Sequence, residues 1–361
     1  MILAATMCVA CMEAHIDEVT NAKSSVKHIY ATIVAPEEDG TRVELNDKLQ
    51  TTWTEDDEIV VFNNGLAQFW QFDGNTGDRS GSFAYESDIN PADENINFDR
   101  YYALVYHENM YYPSYYGDFS PAFFIHMPHV QNYKQNSYGL NTNVMLGTSD
   151  DGTNYEFKNL FGYLRLGITG DKSVKEINIK GHNGEYLTGY IVANKDAQLT
   201  QWYSEITYDV ILDCGDGVQL TDEPTYFYIV MPTSTFNLGL TATITFTDGT
   251  VFPKSTSKSI SFYRNTIQPM ATFDTSSDIE WQTVTLTHTG DSIMAPYIGG
   301  STSISGFIYW GDGYMSDITY EGSYVYDDGA DTHTVTIKAL DATWFTIDSC
   351  EGISEIDFSQ F

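Results

Sequence analysis

The sequence WGDG at Trp310–Gly313, followed by HTVTI at His333–Ile337, combines an aromatic residue, a tight turn and a strand with a period of two. Glycine supplies the positive φ values that a tight turn needs, and Asp312 is of a type that hydrogen-bonds its own backbone across the turn. Short alternating strands joined by such turns are typical of a small β-sandwich. These residues therefore predict an all-β module in this part of the chain.

The composition of the 361-residue chain favours strands and disfavours two classes of partner. Aromatic residues make up 14% of the chain, including 26 Tyr and 20 Phe, and aromatic residues are enriched in strands. The 50 acidic residues outnumber the 17 basic ones and give a net charge of −33. Such a surface repels nucleic-acid phosphates and anionic lipid headgroups, so we expect no nucleic-acid partner and no direct binding to lipid headgroups.

The first residues have the shape of a lipoprotein leader. The apolar run MILAATMCVA ends at Ala10, Cys11 follows, and the chain then turns acidic. A small residue before a cysteine gives a signal peptidase access to the bond, which predicts lipidation at Cys11 and a membrane contact only through that lipid. The alternative is a frayed apolar terminus with an incidental cysteine. No later apolar run reaches the roughly 18 residues of a membrane-spanning helix.

The remaining cysteines are sparse. Cys8 lies beside Cys11 near the start, whereas Cys214 and Cys350 lie far apart. These spacings match neither a zinc site nor a disulfide framework. The sequence alone allows a disulfide between Cys214 and Cys350, although it would join two of the predicted domains.

Turn signals and alternating strands divide the chain into three predicted β-sandwich domains. Glu58–Phe62 has the pattern of a buried strand, and FKNLFGYLRLGITG at 157–170 has that of an apolar strand opening a second domain. The HNG sequence at His182–Gly184 predicts a hairpin between Val174–Ile179 and Tyr186–Val192. The predicted divisions are 1–24 as leader and linker, 25–157 and 158–265 as two sandwiches, 266–278 as a polar linker, 279–342 as a third sandwich and 343–361 as a tail.

Catalytic and metal-binding patterns are weak. DCGDG at Asp213–Gly217 resembles the start of a calcium loop, but Pro224 stands at the twelfth position, where the loop needs Glu. His126 and His129 are separated by a proline that argues against a helical ligand pair. The sequence therefore predicts no enzyme, no cofactor and no metal site. A calcium contact at acidic turns such as Asp327–Asp331, and a carboxylate pair for hydrolysis, stay open as alternatives.

A tyrosine-rich segment is the best candidate contact surface in the sequence. Tyr101–Tyr106 alternates as a strand, so its rings are expected in a core. The segment that follows has the pattern of a loop, and tyrosine rings stack on sugar faces while their hydroxyls form hydrogen bonds. The alternative is local packing. The ligand-binding candidates are Tyr111, Tyr112, Tyr115 and Tyr116.

Several blocks resemble fimbrillin-like proteins of the Bacteroidetes over about residues 25–265. LQTTWTEDDEIVVF at Leu49–Phe62 and SGSF at Ser80–Phe83 resemble the first domain of that family, and the stretch from 157 resembles the start of its second domain. WGDG and HTVTI are similar to a PKD-type module. The resemblance implies an all-β fold of two transthyretin-like β-sandwich domains followed by a small PKD-like, immunoglobulin-like sandwich.

The same resemblance implies a function at the cell surface. Such proteins are lipid-anchored at the outer membrane or lie in extracellular fimbriae, and they assemble with other fimbrial subunits by strand exchange. A further module after two fimbrillin-like sandwiches fits a fimbrial tip or accessory subunit that adheres to a host or bacterial surface protein or glycan. The alternative is a non-polymerising surface lipoprotein that binds glycans.

Overall fold

The computed structural model describes residues 27–38, 51–63, 66–89, 100–106, 122–139, 142–277, 280–300, 304–349 and 351–361. All regular structure within these ranges is β-strand, which confirms the all-β prediction. A helix long and apolar enough to cross a bilayer is not found in them. The predicted lipidation and ligand-binding residues lie outside the described ranges, namely Cys11, Tyr111, Tyr112, Tyr115 and Tyr116.

The strands fall into three stretches of the chain. Before residue 110 they are β1 (His28–Ile33), β2 (Glu37–Glu38), β3 (Glu58–Asn63), β4 (Leu66–Phe72), β5 (Ser80–Ile89) and β6 (Tyr101–Tyr106). The next are β7 (Ala122–Met127), β8 (Val130–Asn132), β9 (Met145–Ser149), β10 (Asn154–Asn159), β11 (Gly162–Thr169), β12 (Ser173–Gly181), β13 (Thr188–Asn194), β14 (Leu199–Thr207), β15 (Asp209–Gln219), β16 (Thr225–Met231), β17 (Thr235–Phe236), β18 (Leu240–Phe246), β19 (Val251–Thr256), β20 (Ile260–Ser261), β21 (Thr266–Pro269) and β22 (Phe273–Asp274). The last are β23 (Gln282–Thr289), β24 (Ser292–Met294), β25 (Tyr297–Gly299), β26 (Ser305–Tyr309), β27 (Met315–Asp317), β28 (Ser323–Val325), β29 (Thr332–Leu340), β30 (Trp344–Thr346) and β31 (Ile353–Gln360).

Among the described residues, the first compact unit is one closed sheet, drawn from 27–34, 51–63, 66–89, 100–106 and 145–158. Its strands follow one another in the order β1-β10-β9-β6-β3-β4-β5, and β1 closes the sheet by pairing with β5. Trp53 is fully buried among its core side chains, with the rings of Phe83 and Phe157 edge-on at centroid distances of 5.0 and 5.3 Å. Backbone pairing is therefore continuous around this unit, where the sequence predicts the two separate sheets of a sandwich.

The second unit begins with two five-stranded sheets that share a core. One sheet has the order β19-β18-β12-β15-β8, and the other has β16-β11-β21-β2 with β22 also paired to β11. Every second residue of β18 is buried, from Leu240 to Phe246, which leaves Thr241, Thr243 and Thr245 on the outer face. A three-stranded sheet, β14-β13-β7, belongs to the same unit.

The predicted hairpin at His182–Gly184 is wrong. Strand β12 pairs with β15 and β18, whereas β13 pairs with β14 and β7 in a different sheet. The turn signal is local, but the partner of a strand is selected by side-chain matching across the sheet. The buried residues Ile177 and Ile179 of β12 are matched by Leu212 and Val210 of β15, which are equally buried.

The borders of the predicted second sandwich also differ from the structure. The stretch 157–170 contains the end of β10 and all of β11, which belong to different units. Residues 266–278, predicted as a linker, include β21 and β22, both parallel to β11. Ile267 and Phe273 anchor these short strands because their side chains are buried, at 4% and 8% exposure. Strands β7 and β8, before residue 158, pair with strands of the second unit.

The last part of the second unit, residues 280–361, has its own core. Its main sheet has the order β27-β26-β29-β23-β31, and two small ribbons pair β24 with β28 and β25 with β30. Strand β31 comes from the predicted tail 343–361 and lies antiparallel to β23, with Leu286 opposite Ile356. The tail joins the sheet because Ile353 and Ile356 pack against the core.

Candidate functional site

The WGDG turn is a packing element. Trp310 is fully buried, its Nε1 donates to Ser316 Oγ at 2.8 Å, and its ring stacks on Tyr324 at 4.3 Å between centroids. Asp312 accepts a hydrogen bond from Tyr314 N at 3.0 Å and another from the Tyr324 hydroxyl at 2.8 Å. Burial and the Asp312 carboxylate raise the pKa of Tyr324. Both carboxylate oxygens of Asp312 thus have hydrogen-bond partners within residues 280–361.

The other acidic and histidine motifs are separated from one another. His333 Nε2 lies 3.0 Å from Asp328 Oδ1 in the acidic turn, and the backbone N–H of Ala330 and this histidine lower the pKa of Asp328. The His126 ring packs on Tyr190 at 4.5 Å, whereas His129 contacts a different strand. Within the described ranges, no three His, Cys, Asp or Glu side chains are grouped as a metal would require.

A polar groove runs along the outer face of the sheet β19-β18-β12-β15-β8. In β12 the inward residues alternate with Glu176, Asn178 and Lys180, which are partly exposed. In β18, Thr243 stands opposite Asn178 and Thr245 opposite Glu176. The period of two, which β18 keeps throughout and β12 keeps from Glu176 onward, places these polar side chains on one surface.

Strands β26 and β27 line the opposite side of this groove. Two adjoining pockets, of about 580 and 550 Å³, are both lined by Lys180, Tyr208, Thr243, Phe307 and Asp317. Lys180 Nζ donates to Thr319 Oγ1 at 3.0 Å and lies 3.6 Å from Asp317 Oδ1, so it links the two sides. Volumes of this size are typical of small-molecule sites, which span about 300–1,000 Å³.

Hydrogen bonds hold the polar side chains of the groove in place. Asn178 Nδ2 donates to Asp209 Oδ2 at 2.7 Å, and His129 Nε2 lies 3.0 Å from Asp209 Oδ1. Burial, followed by the neighbouring Asp213 and Asp209 carboxylates, raises the pKa of Glu176. The groove therefore offers fixed hydrogen-bonding groups in a negative electrostatic field.

An aromatic platform, formed by Tyr186, Trp202 and Tyr208, meets the groove at Tyr208. Tyr208 lines both pockets and is 51% exposed, and Tyr186 is 43% exposed. The ring of Tyr186 lies 5.4 Å from that of Tyr208 and 6.2 Å from that of Trp202. Sequence reasoning did not find this platform because its rings come from a residue before β13, from β14 itself and from the residue after β14, and they meet only in the folded chain.

Comparisons with known proteins give remote structural likenesses. No protein-family model and no curated protein matches the chain. Among solved structures it is similar to a "putative cell adhesion protein" of Bacteroides ovatus ATCC 8483, with 10% identity, a TM-score of 0.43, and coverage of 70% of this chain and 93% of that one. A protein of Bacteroides uniformis ATCC 8492 with the same description matches with 13% identity, a TM-score of 0.37 and coverage of 69% and 94%.

A third similar structure is a fimbrial protein of Bacteroides ovatus ATCC 8483. It shows 8% identity and a TM-score of 0.32 over 75% of this chain and 53% of that chain. Identities of 13% or less and TM-scores below 0.5 assign neither a family nor a function to this chain.

Proposed function

We propose that the chain is a cell-surface adhesion protein, a tip or accessory subunit of a fimbria, that joins other subunits by β-strand complementation. The resemblance of residues 25–265 to fimbrillin-like proteins supports this role, as does an all-β chain with an acidic surface. The observation that carries the proposal is the position of β1, a short strand inserted between two others that are distant in sequence.

Strand β1 is paired along both of its edges. It lies antiparallel to β5, with Ile29 opposite Phe83, and parallel to β10, with Ala31 opposite Tyr155. Its inward residues are almost completely buried, at 3%, 1% and 2% exposure for Ile29, Ala31 and Ile33. Neither β5 nor β10 follows β1 directly in the chain. Strand β1 is therefore held to both neighbours by hydrogen bonds and side-chain burial.

Displacement of β1 would leave the unit open between β5 and β10. The two exposed edges would present unpaired N–H and C=O groups, and the buried face beside Trp53 would become an apolar slot. A strand from another subunit with apolar residues at alternate positions would restore both the hydrogen bonds and the burial. The apolar slot between β5 and β10, and the strand β1 that fills it, would thus have the properties that strand exchange requires.

The anchor and the last module complete the proposal. We assign a lipid to Cys11, which would hold the chain at the outer membrane, and a PKD-like role to residues 279–342.

The alternative function is a non-polymerising surface lipoprotein that binds glycans. The aromatic platform favours this second function because exposed rings next to a polar groove suit a sugar.

An immunoblot of sheared surface fibres and washed outer membranes, with and without boiling in SDS, tests the function in cells. We expect the chain in an SDS-resistant ladder with the fibres, since a complemented sheet unfolds slowly. A chain found only as a monomer in the membrane fraction would contradict the fimbrial role and leave the glycan-binding lipoprotein. A Cys11→Ala chain should lose the membrane association.

A peptide-capture assay tests the role of β1 in the purified chain. Ile29→Asp with Ile33→Asp places two charges in the core and should release β1, so that a labelled peptide of residues 27–34 is captured in an SDS-resistant band. Tyr30→Asp is the matched control, because Tyr30 lies on the same strand and is 56% exposed. Equal capture by both variants, or capture by neither, would contradict the assignment of β1 as the exchangeable strand.

A further inference from the structure

We propose that the polar groove and the aromatic platform together form a binding site for a neutral oligosaccharide. This inference deepens the adhesive function proposed above by naming a ligand class and its site. It does not depend on strand complementation, because the groove lies in the second unit and β1 lies in the first.

The aromatic platform matches the apolar face of a pyranose ring. A sugar ring carries C–H groups on its faces, and an aromatic ring packs against them while the tyrosine hydroxyl stays free to form hydrogen bonds. Tyr208 and Tyr186 present adjacent rings, 5.4 Å apart and inclined by 48°, with about half of each side chain in solvent. Two neighbouring rings at an angle suit a chain of linked sugars better than a single compact ligand.

The polar side of the groove matches the hydroxyls of a sugar. Sugar hydroxyls both donate and accept, so they need carboxylate, amide and hydroxyl partners at fixed positions. The hydrogen bond from Asn178 to Asp209 orients the amide and leaves its second N–H and its Oδ1 for a ligand. Thr243 and Thr245 add hydroxyls on the next strand. Groups that are already held in place lose little entropy when a ligand binds.

The charge of the groove selects against anionic sugars. Glu176, Asp209 and Asp317 contribute three carboxylates to the lining, whereas Lys180 contributes one ammonium group that lies 3.6 Å from Asp317. The whole chain adds a net charge of −33. Sialylated or sulfated glycans would meet this negative field and be repelled, which leaves neutral oligosaccharides as the favoured class.

Glycan binding by the purified full chain tests the site. The probes are an array of neutral galactosides, glucans, mannans and xylans, together with asialofetuin and fetuin, which differ in terminal sialic acid. We expect binding to neutral sugars and a preference for asialofetuin over fetuin. Tyr208→Ala should weaken binding about fivefold to tenfold by loss of the stacking surface, and Tyr208→Phe should retain most of it.

The matched control is Tyr263→Ala, because Tyr263 is 57% exposed and lies outside the groove lining. It should bind as the unchanged chain does. The proposal is overturned if no neutral glycan binds, if Tyr208→Ala binds as well as Tyr263→Ala, or if a lysine-rich peptide binds the groove in place of sugars. The fibre ladder reports separately on the proposed function, since Tyr208→Ala should leave SDS-resistant oligomers unchanged.

Discussion

His288 in β23 and His333 in β29 stand directly opposite each other, and both side chains are buried, at 2% and 3% exposure. The ring of Tyr326 stacks on His333 at 3.6 Å between centroids and lies 6.0 Å from His288. Nδ1 of each histidine is buried without a hydrogen-bond partner. A proton on the buried His288 ring would be a charge removed from solvent, which costs stability.

This pair predicts acid sensitivity of residues 280–361. Burial, and then the neighbouring His333, lower the pKa of His288 from its ordinary value of 6.5. The unfolded chain binds a proton at His288 below that pH and the folded chain does not, so stability is complete above pH 6.5 and falls as the pH drops below it. The lowered pKa of Asp328 adds a further loss only below about 3.8.

Thermal melts of the full chain at pH 7.5 and pH 5.5 check the effect. His288→Phe removes the proton-binding group and should flatten the pH dependence. His28→Gln is the control, because the side chain of His28 is 39% exposed in the first unit, and it should keep the dependence of the unchanged chain. An equal acid shift in the His288→Phe chain would contradict the assignment to this pair.

The stack of Trp310 on Tyr324 predicts a large stability effect. Trp310→Ala removes a fully buried indole, and large-to-small changes of this kind cost about 3–5 kcal/mol. Asp312→Ala removes the acceptor of two hydrogen bonds and should cost about 1–3 kcal/mol. Tyr314→Ala, at a side chain 65% exposed, should change stability by less than about 0.5 kcal/mol. Urea unfolding curves measure the loss of unfolding free energy in each variant. A loss for Tyr314→Ala as large as that for Trp310→Ala would refute the prediction.

Two glycines that share the same φ angle allow the cost of backbone strain to be separated from the cost of a steric clash. Gly239 and Gly249 both have φ near +81°, but a Cβ at Gly239 would lie 1.8 Å from the carbonyl oxygen of Thr256, whereas at Gly249 it meets nothing within 4 Å. Gly249→Ala should cost only the conformational penalty, about 1 kcal/mol. Gly239→Ala should cost clearly more, because backbone must move. Denaturant midpoints of the two variants make the comparison, and equal midpoints would show that the Thr256 contact is unimportant.

The thiol of Cys214 should be inert in the folded chain. It is buried, at 7% exposure, and burial, with the Asp213 carboxylate, raises its pKa to about 12. Since the thiolate is the reactive form, a disulfide reagent should label this position only when the second unit unfolds. Mass spectrometry of labelled peptides, with and without denaturant, distinguishes the two states. Rapid labelling of the native chain would mean that the core around β15 opens readily.

Strands with a clear local pattern could be predicted from the sequence. The buried run at Glu58–Phe62 needs only local side-chain chemistry, and it forms most of β3 in the structure. The sequence predicts a linker at 266–278 because the stretch is polar with one proline, and its few apolar residues, such as Ile267 and Phe273, do not make a visible pattern. The groove could not be predicted, since Asn178 and Phe307 come together only after the pairing of distant strands.

The insertion of β1 also has a consequence for the timing of folding. Tyr30 pairs with Asn154, so a chain delivered with its N-terminus first presents β1 long before its parallel partner exists. At a synthesis rate of about 5–20 residues per second, that interval lasts roughly 6–25 seconds. Closure of the first unit is therefore a late event, and until then the edge of β1 that pairs with β10 is open to capture by other strands or by a chaperone.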